Sequence, residues 1–405
     1  MSIRKFLDKI KPNFEEGGKF PWLYSTYDAF ETFLYVPNTT SKSGVHIHDA
    51  RDSKRTMVLV IVALIPALLM GMYNVGHQHY LALGLEMGLI QKFIYGLLAV
   101  LPQIVVAYVV GLGIEFALAQ VRKVEVAEGF LVSGMLIPLI VPVDTPLWMI
   151  AVATAFAVVF AKEVFGGTGY NVFNVALVTR AFLFFGYPTK MSGDQVWVRT
   201  GKALGYGGGG EVVDGFSGAT PLGQLAVSDA GSFADFSFQG ITGESLTLWE
   251  MFVGLIPGSV GEVSTLAILL GAAILVFTGV ASWKVMTAVF AGGAGMALLL
   301  NALSVNAMMG MPPLYHLLLG GFAFGAVFMA TDPVTASRTE TGKWIYGALI
   351  GILAVLIRVF NPGYPEGMML AILFMNAFAP LIDFYVVDAN IKKRQKRMAA
   401  STGAK

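Results

Sequence analysis

Ten apolar runs divide the chain, with short polar connections between most of them. They are Met57–Tyr73, Phe93–Gln120, Gly129–Val143, Leu147–Val164, Val172–Tyr187, Ser264–Ala281, Trp283–Ser304, Leu314–Thr331, Trp344–Phe360 and Gly367–Val387. A helix needs about 20 apolar residues to cross the hydrocarbon core of a bilayer. The pattern predicts an all-α polytopic membrane protein with about ten transmembrane helices. Five precede the polar stretch 188–263 and five follow it. The third and fifth runs are short, and Pro138 predicts a kink in the third. Short or interrupted helices are the kind found at transporter sites. The organisation is a cytoplasmic N-terminal segment 1–56, a first transmembrane half 57–187, a periplasmic loop 188–263, a second half 264–387 and a basic cytoplasmic tail 388–405.

Lysine and arginine orient this arrangement. Arg51, Lys54 and Arg55 precede the first run, and Arg122 and Lys123 follow the second. Lys162, Lys284, Arg338, Lys343 and the basic stretch Lys392–Arg397 fall on the same side if every run crosses. That side is cytoplasmic by the positive-inside tendency, which puts both termini inside and 188–263 outside. The halves share short echoes. Gly169, Arg180-Ala-Phe and Tyr187-Pro188 match Gly342, Arg358-Val-Phe and Tyr364-Pro365, and Ala127-Glu128-Gly129 matches Pro365-Glu366-Gly367. Duplicated halves are common in transporters, so an internal repeat is an expectation. Gly201–Gly210, with four consecutive glycines, reads as a flexible tether.

Composition agrees with a membrane protein. The chain has 405 residues, 56% hydrophobic and 13% charged, against about 25% charged in soluble domains. A net charge of +1 gives no bulk electrostatic case for nucleic acid. The chain has no cysteine, which excludes disulfides, thiolate zinc sites and cysteine-ligated iron–sulfur clusters within it. Redox work would need an organic cofactor or a partner's metal. Residues 1–55 are polar, of mixed charge and rich in aromatics. They show no signal-peptide pattern and read as a folded or interfacial segment.

The loop Asp214-Gly-Phe-Ser217-Gly218-Ala-Thr220 stands out. Gly215 and Gly218 leave its backbone flexible, and Thr220 offers a hydroxyl. Ser217-Gly-Ala-Thr220 resembles the acceptor motif at which a flavin transferase links FMN through its phosphate to a threonine. The same residue types also make ordinary surface turns. Arg180 lies mid-helix in an apolar run, where an arginine needs a cavity or a partner, and it reads as a pairing or cofactor-binding residue. Arg358 lies nearer a helix end and can snorkel to the interface. Asn171 and Asn174 are three apart at a helix start. Their amides suit the carbonyl and imide groups of an isoalloxazine ring, or simple capping. The turn Ile256–Ser264 could cradle an FMN phosphate or merely open the next helix. Acids at membrane depth mark ion paths by default, and the candidates are Glu115, Glu128, Asp332, Glu366 and Asp383. His46-x-His48 and His77-x-His79 have metal-like spacing with no further ligand suggested. Phe322, Phe324 and Phe328 read as packing.

Taken together, the chain resembles the B subunits of sodium-translocating NADH:quinone reductases over nearly its whole length. The resemblance rests on Lys162–Asn174, Arg180–Phe185, Ser217–Thr220, Ile256–Ser264, Gly320–Gly325, Met329–Val334 and Asn361–Leu370. The D subunit of the related electron-transport complex shares the flavin motif. Phe14–Lys19 and Tyr35–Pro37 in the long N-terminal segment favour the reductase. The resemblance implies covalent FMN at Thr220, with Ser217, Gly218 and Asp214 around it. It implies riboflavin near Asn171 and Asn174, and ubiquinone contacts around Gly111 and Glu115. It also implies electrons from an NADH-oxidising partner, a flavin-bearing partner subunit, Na+ translocation across a bacterial inner membrane, and maturation by a flavin transferase. Leu112 replaces a family glycine in the quinone region, and the glycine-rich insertion before Asp214 departs from the pattern. A cofactor-free secondary transporter and a scaffold subunit are the alternatives that ten helices would also serve.

Overall fold

A computed structural model describes residues 3–15, 17–35, 43–45, 52–124, 126, 129–193, 196–208, 210–361 and 363–402. Its helices run in chain order α1 Ile3–Ile10, α2 Tyr24–Leu34, α3 Ser53–Ala82, α4 Leu89–Arg122, α5 Phe130–Ile140, α6 Leu147–Ala157, α7 Val175–Gly186, α8 Pro221–Ala226, α9 Leu248–Val253, α10 Thr265–Phe277, α11 Trp283–Leu303, α12 Ala307–Gly310, α13 Pro313–Leu318, α14 Phe322–Phe324, α15 Glu340–Phe360 and α16 Met368–Thr402. No strand forms among the described residues, only two isolated bridges.

All ten apolar runs are helical, but with different reach. Among the described residues six helices are long and apolar enough to cross a membrane: α3, α4, α6 with its extension to Phe165, α11, α15 and α16. The other four runs give α5, α7 and α10, of 11, 12 and 13 residues, and the broken segment α13–α14. At 1.5 Å per residue, such short helices span roughly 17–20 Å, against about 30 Å of hydrocarbon. α5 is apolar on all sides. Phe130, Ile137, Leu139 and Ile140 are fully buried, as in a helix enclosed by others. α3, α4 and α7 pack around it, and the long helices α4, α11 and α16 carry exposed Val105, Val109, Leu298, Leu299, Phe374 and Phe378, an apolar surface suited to lipid.

Two local devices shape the interior. α6 continues as a π-helical turn, Val158–Lys162, and α14 continues as another, Gly325–Met329. Such turns interrupt the α-helical ladder and often occur at functional sites. Between α13 and α14 the chain breaks at Gly320 and Gly321, with φ of 65° and 67°, which glycine adopts without a Cβ penalty. Elsewhere small residues let helices touch. A Cβ on Gly351 would meet the Val289 backbone, so α11 and α15 pack main chain to main chain.

The N-terminal segment is folded. Tyr27 of α2 donates to the Leu7 carbonyl at 3.0 Å, and burial pushes its hydroxyl up to about 12. Arg55 donates to the Thr32 carbonyl at 3.0 Å and ties the segment to α3. The glycine-rich stretch is not a free tether. The ring of His79 accepts from the Gly208 N–H at 3.1 Å and meets the Arg199 carbonyl at 2.8 Å. Tyr95 donates to the Gly201 carbonyl at 2.5 Å, and a Cβ on Gly207 would strike the Tyr95 ring. The glycines let the backbone lie flat on two stacked aromatic rings, 3.7 Å apart. His79 thus spends both nitrogens on the backbone. His46 and His48 lie outside the described residues, as do Ala127 and Glu128.

Candidate functional site

Thr220 caps α8. Its hydroxyl accepts the Gly223 N–H at 3.1 Å, and the residue is only 9% exposed. This differs from an exposed loop hydroxyl, because the Pro-Leu-Gly-Gln sequence after it folds into a short helix. Ser217 accepts from the Ala219 N–H at 3.4 Å, Gly218 is buried, and Asp214 is exposed. Thr220 sits on the wall of an open cleft of about 860 Å³, lined also by Phe184, Trp197, Phe236, Tyr364 and Glu366. Ligand clefts run to about 300–1,000 Å³ and are lined largely by apolar and aromatic groups, so size and lining fit a flavin joined at Thr220.

A buried charge cluster lies beneath. Arg180 of α7 donates to Glu262 at 2.9 Å and pairs with Glu366 through its other terminal nitrogen. All three side chains are nearly inaccessible. Ser259 donates to Glu262. The turn Ile256–Ser264 therefore wraps its own carboxylate, and Ser264 caps α10, accepting the Ala267 N–H at 3.2 Å. Arg358 does not snorkel. It is 1% exposed and points inward, donating to the carbonyls of His316 at 2.6 Å, Leu319 at 3.1 Å and Glu366 at 3.1 Å. Residues 363–367 and the broken segment cover the end of α15, so water is not within reach of that side chain.

A second site joins the start of α7 to the segment after α14. Asn174 is the N-cap of α7, accepting from Ala176 and Leu177 at 3.0 and 3.3 Å, and it donates to Asp332 at 3.0 Å. Asn171 lies in the turn before the helix rather than in its first turn, and it donates to the Phe173 carbonyl at 3.1 Å. The helix starts at Val175, later than the apolar run suggests, because Asn174 takes the cap. Asn171, Asn174, Asp332, Lys162 and Thr168 line one cavity of about 80 Å³. The amides, acid and ammonium suit the polar edge of an isoalloxazine ring. The enclosed volume does not hold one, being far below the roughly 300 Å³ of small-molecule sites.

Glu115 of α4 is buried and pairs with Lys162, which the π-turn of α6 directs inward. Gly111 lies one turn away and faces the Phe130 ring, which a Cβ would strike. Leu112 lines a separate apolar cavity of about 150 Å³ with Phe30, Phe33, Phe116 and Leu131. Asp383 accepts from the Ser337 hydroxyl at 2.6 Å, the Arg338 N–H at 2.8 Å, and the Thr339 N–H and hydroxyl at 3.0 and 2.6 Å. Asp332, besides Asn174, accepts from Val334 and Thr335 at 3.0 Å each. Among the described residues no cluster of three or more His, Asp or Glu could hold a metal ion.

A model of the NQR2, RnfD, RnfE family matches residues 40–392. The chain belongs to that family. Among its relatives in the family is the B subunit of the Na(+)-translocating NADH-quinone reductase of Neisseria meningitidis serogroup A, 47% identical over 98% of this chain and 99% of that one. The corresponding B subunits of Ectopseudomonas mendocina and Chromohalobacter salexigens are 46% and 45% identical, over 98% and 100% of this chain and 100% and 98% of theirs.

Within this member of the NQR2, RnfD, RnfE family, the sequence pattern hides the partners more than the sites. Lys162 was legible as an orientation charge and as the head of the Lys162–Asn174 motif, and its pairing with Glu115 spans 47 positions. Glu262 was hidden inside a glycine-rich turn. The available signal was its charge, since a carboxylate within a turn argues against an anion cradle. His316, buried beside Arg358, gave no signal in its apolar run.

Proposed function

We propose that this chain is the B subunit of a sodium-translocating NADH:ubiquinone reductase in a bacterial inner membrane. It carries FMN as a phosphoester on Thr220 and works with an NADH-oxidising subunit and a second flavin-bearing subunit. The names of its full-length relatives support the assignment over the D subunit of the related complex. The observation that carries the flavin reading is Thr220 on the wall of an aromatic-lined cleft of about 860 Å³. When bound there, FMN supplies one- and two-electron storage. The chain's own part is to hold and shield it: Phe184, Trp197, Phe236 and Tyr364 offer ring faces and edges, and Thr220 is fixed by the Gly223 N–H. In this reading both termini are cytoplasmic and the 188–263 region is periplasmic.

Thr220→Val, made alongside a flavin transferase, is expected to lose all flavin fluorescence that survives denaturing electrophoresis, while Ser217→Ala keeps it. Fluorescence persisting in Thr220→Val would move the attachment site. Loss of the cap should cost about 1 kcal/mol, too little to unfold the chain.

Riboflavin at Asn171 and Asn174 requires the cavity to widen, and unchanged riboflavin in an Asn171→Ala, Asn174→Ala variant would remove it. Gly111 and Glu115 are assigned to quinone contact, and Glu115, Asp332 and Asp383 to the ion path. Glu115→Gln leaves Lys162 as a buried unpaired cation, so turnover should fall more than FMN content. Quinone reduction and Na+ uptake in vesicles, measured across sodium concentrations, decide its role. A raised quinone KM with normal sodium response assigns it to quinone, and the reverse assigns it to the ion path.

A further inference from the structure

The acceptor hydroxyl is poorly placed for its own modification. Forming the Thr220 phosphoester requires a flavin dinucleotide donor. The Thr220 oxygen attacks the flavin-side phosphorus, the pyrophosphate P–O bond breaks, a nucleoside monophosphate leaves, and the hydroxyl proton passes to a base. The transferase must supply that base and must also surround the threonine to align attacker and leaving group. Here the hydroxyl is engaged by the Gly223 N–H, Thr220 is 9% exposed and Gly218 is buried.

What keeps the segment down is specific. Leu222 is fully buried against Gly320, where any Cβ would strike it. The Gln224 side chain clasps the neighbouring loop in both directions. Its amide donates to the Gln239 carbonyl at 2.8 Å and to the Ala219 carbonyl at 3.2 Å, and its oxygen accepts the Gln239 N–H at 2.9 Å. α8 has six residues. An isolated helix shorter than about 12–15 residues is marginal in water, so α8 exists through this docking and melts without it.

We propose that Thr220 is modified only while residues 214–226 are undocked, so that the Leu222 seat and the Gln224 clasp set the rate of cofactor loading. Redocking afterwards returns Thr220 to the wall of the aromatic cleft, where the flavin is shielded. The proposal rests on the Thr220 assignment above.

The test uses the full-length chain, made in cells without a transferase and assembled with its partner subunits. It is then labelled with limiting transferase, magnesium and flavin dinucleotide. Gln224→Ala removes the clasp, and Gly320→Ala unseats Leu222 from outside the segment that the transferase would grip. Each is expected to label about tenfold faster than wild type, the factor that about 1.4 kcal/mol of lost docking gives. Rates at or below wild type in both overturn the proposal. Should Gly320→Ala fail to fold, amide exchange at Gly223 in the unlabelled wild type decides. Exchange slower than labelling overturns undocking, and exchange at least as fast supports it. Thr220→Val separates the two layers. Label there overturns the attachment site, whereas no label there with unchanged variant rates overturns the undocking step alone.

Discussion

Arg180 lies in α7 and Arg358 in α15, and both are buried, yet the fold neutralises them by different means. Arg180 faces two carboxylates, Glu262 and Glu366. Arg358 faces three carbonyls, at His316, Leu319 and Glu366, with the Phe322 ring 6.0 Å from its guanidinium carbon. Glu366 serves both, through its side chain on one side and its backbone on the other. The first arrangement balances charge with charge. The second balances charge with dipoles, two of them at the end of α13, where unpaired carbonyls point outward and favour a cation. The difference teaches that a buried arginine in a membrane helix is no single signal. One can be the countercharge of an acidic cluster beside a cleft, and another can be a clamp on broken backbone.

The largest effect should come from Arg180→Met. It strands two buried carboxylates, and breaking a buried pair by removing one partner costs about 3–5 kcal/mol. The loss should depend on pH, and the sign follows from proton binding. Without the guanidinium, the folded state favours protonated carboxylates, while the unfolded chain ionises freely and binds fewer protons. Stability of the variant relative to wild type therefore falls as pH rises through and above the carboxylate range. Thermal unfolding in detergent across a pH series measures this. A penalty that stays flat with pH would mean that the carboxylates do not depend on Arg180.

Arg358→Met should cost less, about 1–3 kcal/mol, because it orphans neutral acceptors rather than charges. Its penalty should be flat from neutral pH upward in the same series, where the neighbouring His316 is uncharged, since no carboxylate side chain loses its partner. A loss that grows with pH above neutral would erase the distinction between the two sites.

How much of this was legible in the sequence follows from range. The helices of the ten apolar runs were, because each is fixed by a local run of apolar residues, whereas their reach across the membrane was not. Arg180 as a paired residue was also legible, because its cost in an apolar run is local. Arg358 was misjudged because its position near a helix end suggested access to water. Only the tertiary fold brings residues 313–319 and 366 over that end. The same limit hid Glu262 and Lys162 as partners, 82 and 47 positions from the groups they neutralise. Asn171 was misplaced by a few residues, since the start of α7 is set by the Asn174 cap and not by where hydrophobicity begins. Thr220 was legible as a hydroxyl in a motif, but its burial was not, because α8 is too short to announce itself.

The finest separation comes from lysine. Arg180→Lys keeps a positive charge between Glu262 and Glu366, and a point charge needs no particular fork geometry to satisfy carboxylates. Arg358→Lys keeps the charge too, but one ammonium on a shorter reach must replace two terminal nitrogens spread over three carbonyls. The physical expectation is therefore a crossover. Lysine should restore most of the stability lost in Arg180→Met, together with the wild-type pH response, and should restore little of the loss in Arg358→Met. The difference is about 1 kcal/mol, roughly the net value of one hydrogen bond. It is read as the gap between lysine and methionine melting temperatures at each site. Equal rescue at both sites would show that charge alone matters and that the carbonyl clamp has no geometric demand. Better rescue at Arg358 would reverse the roles given to the two arginines.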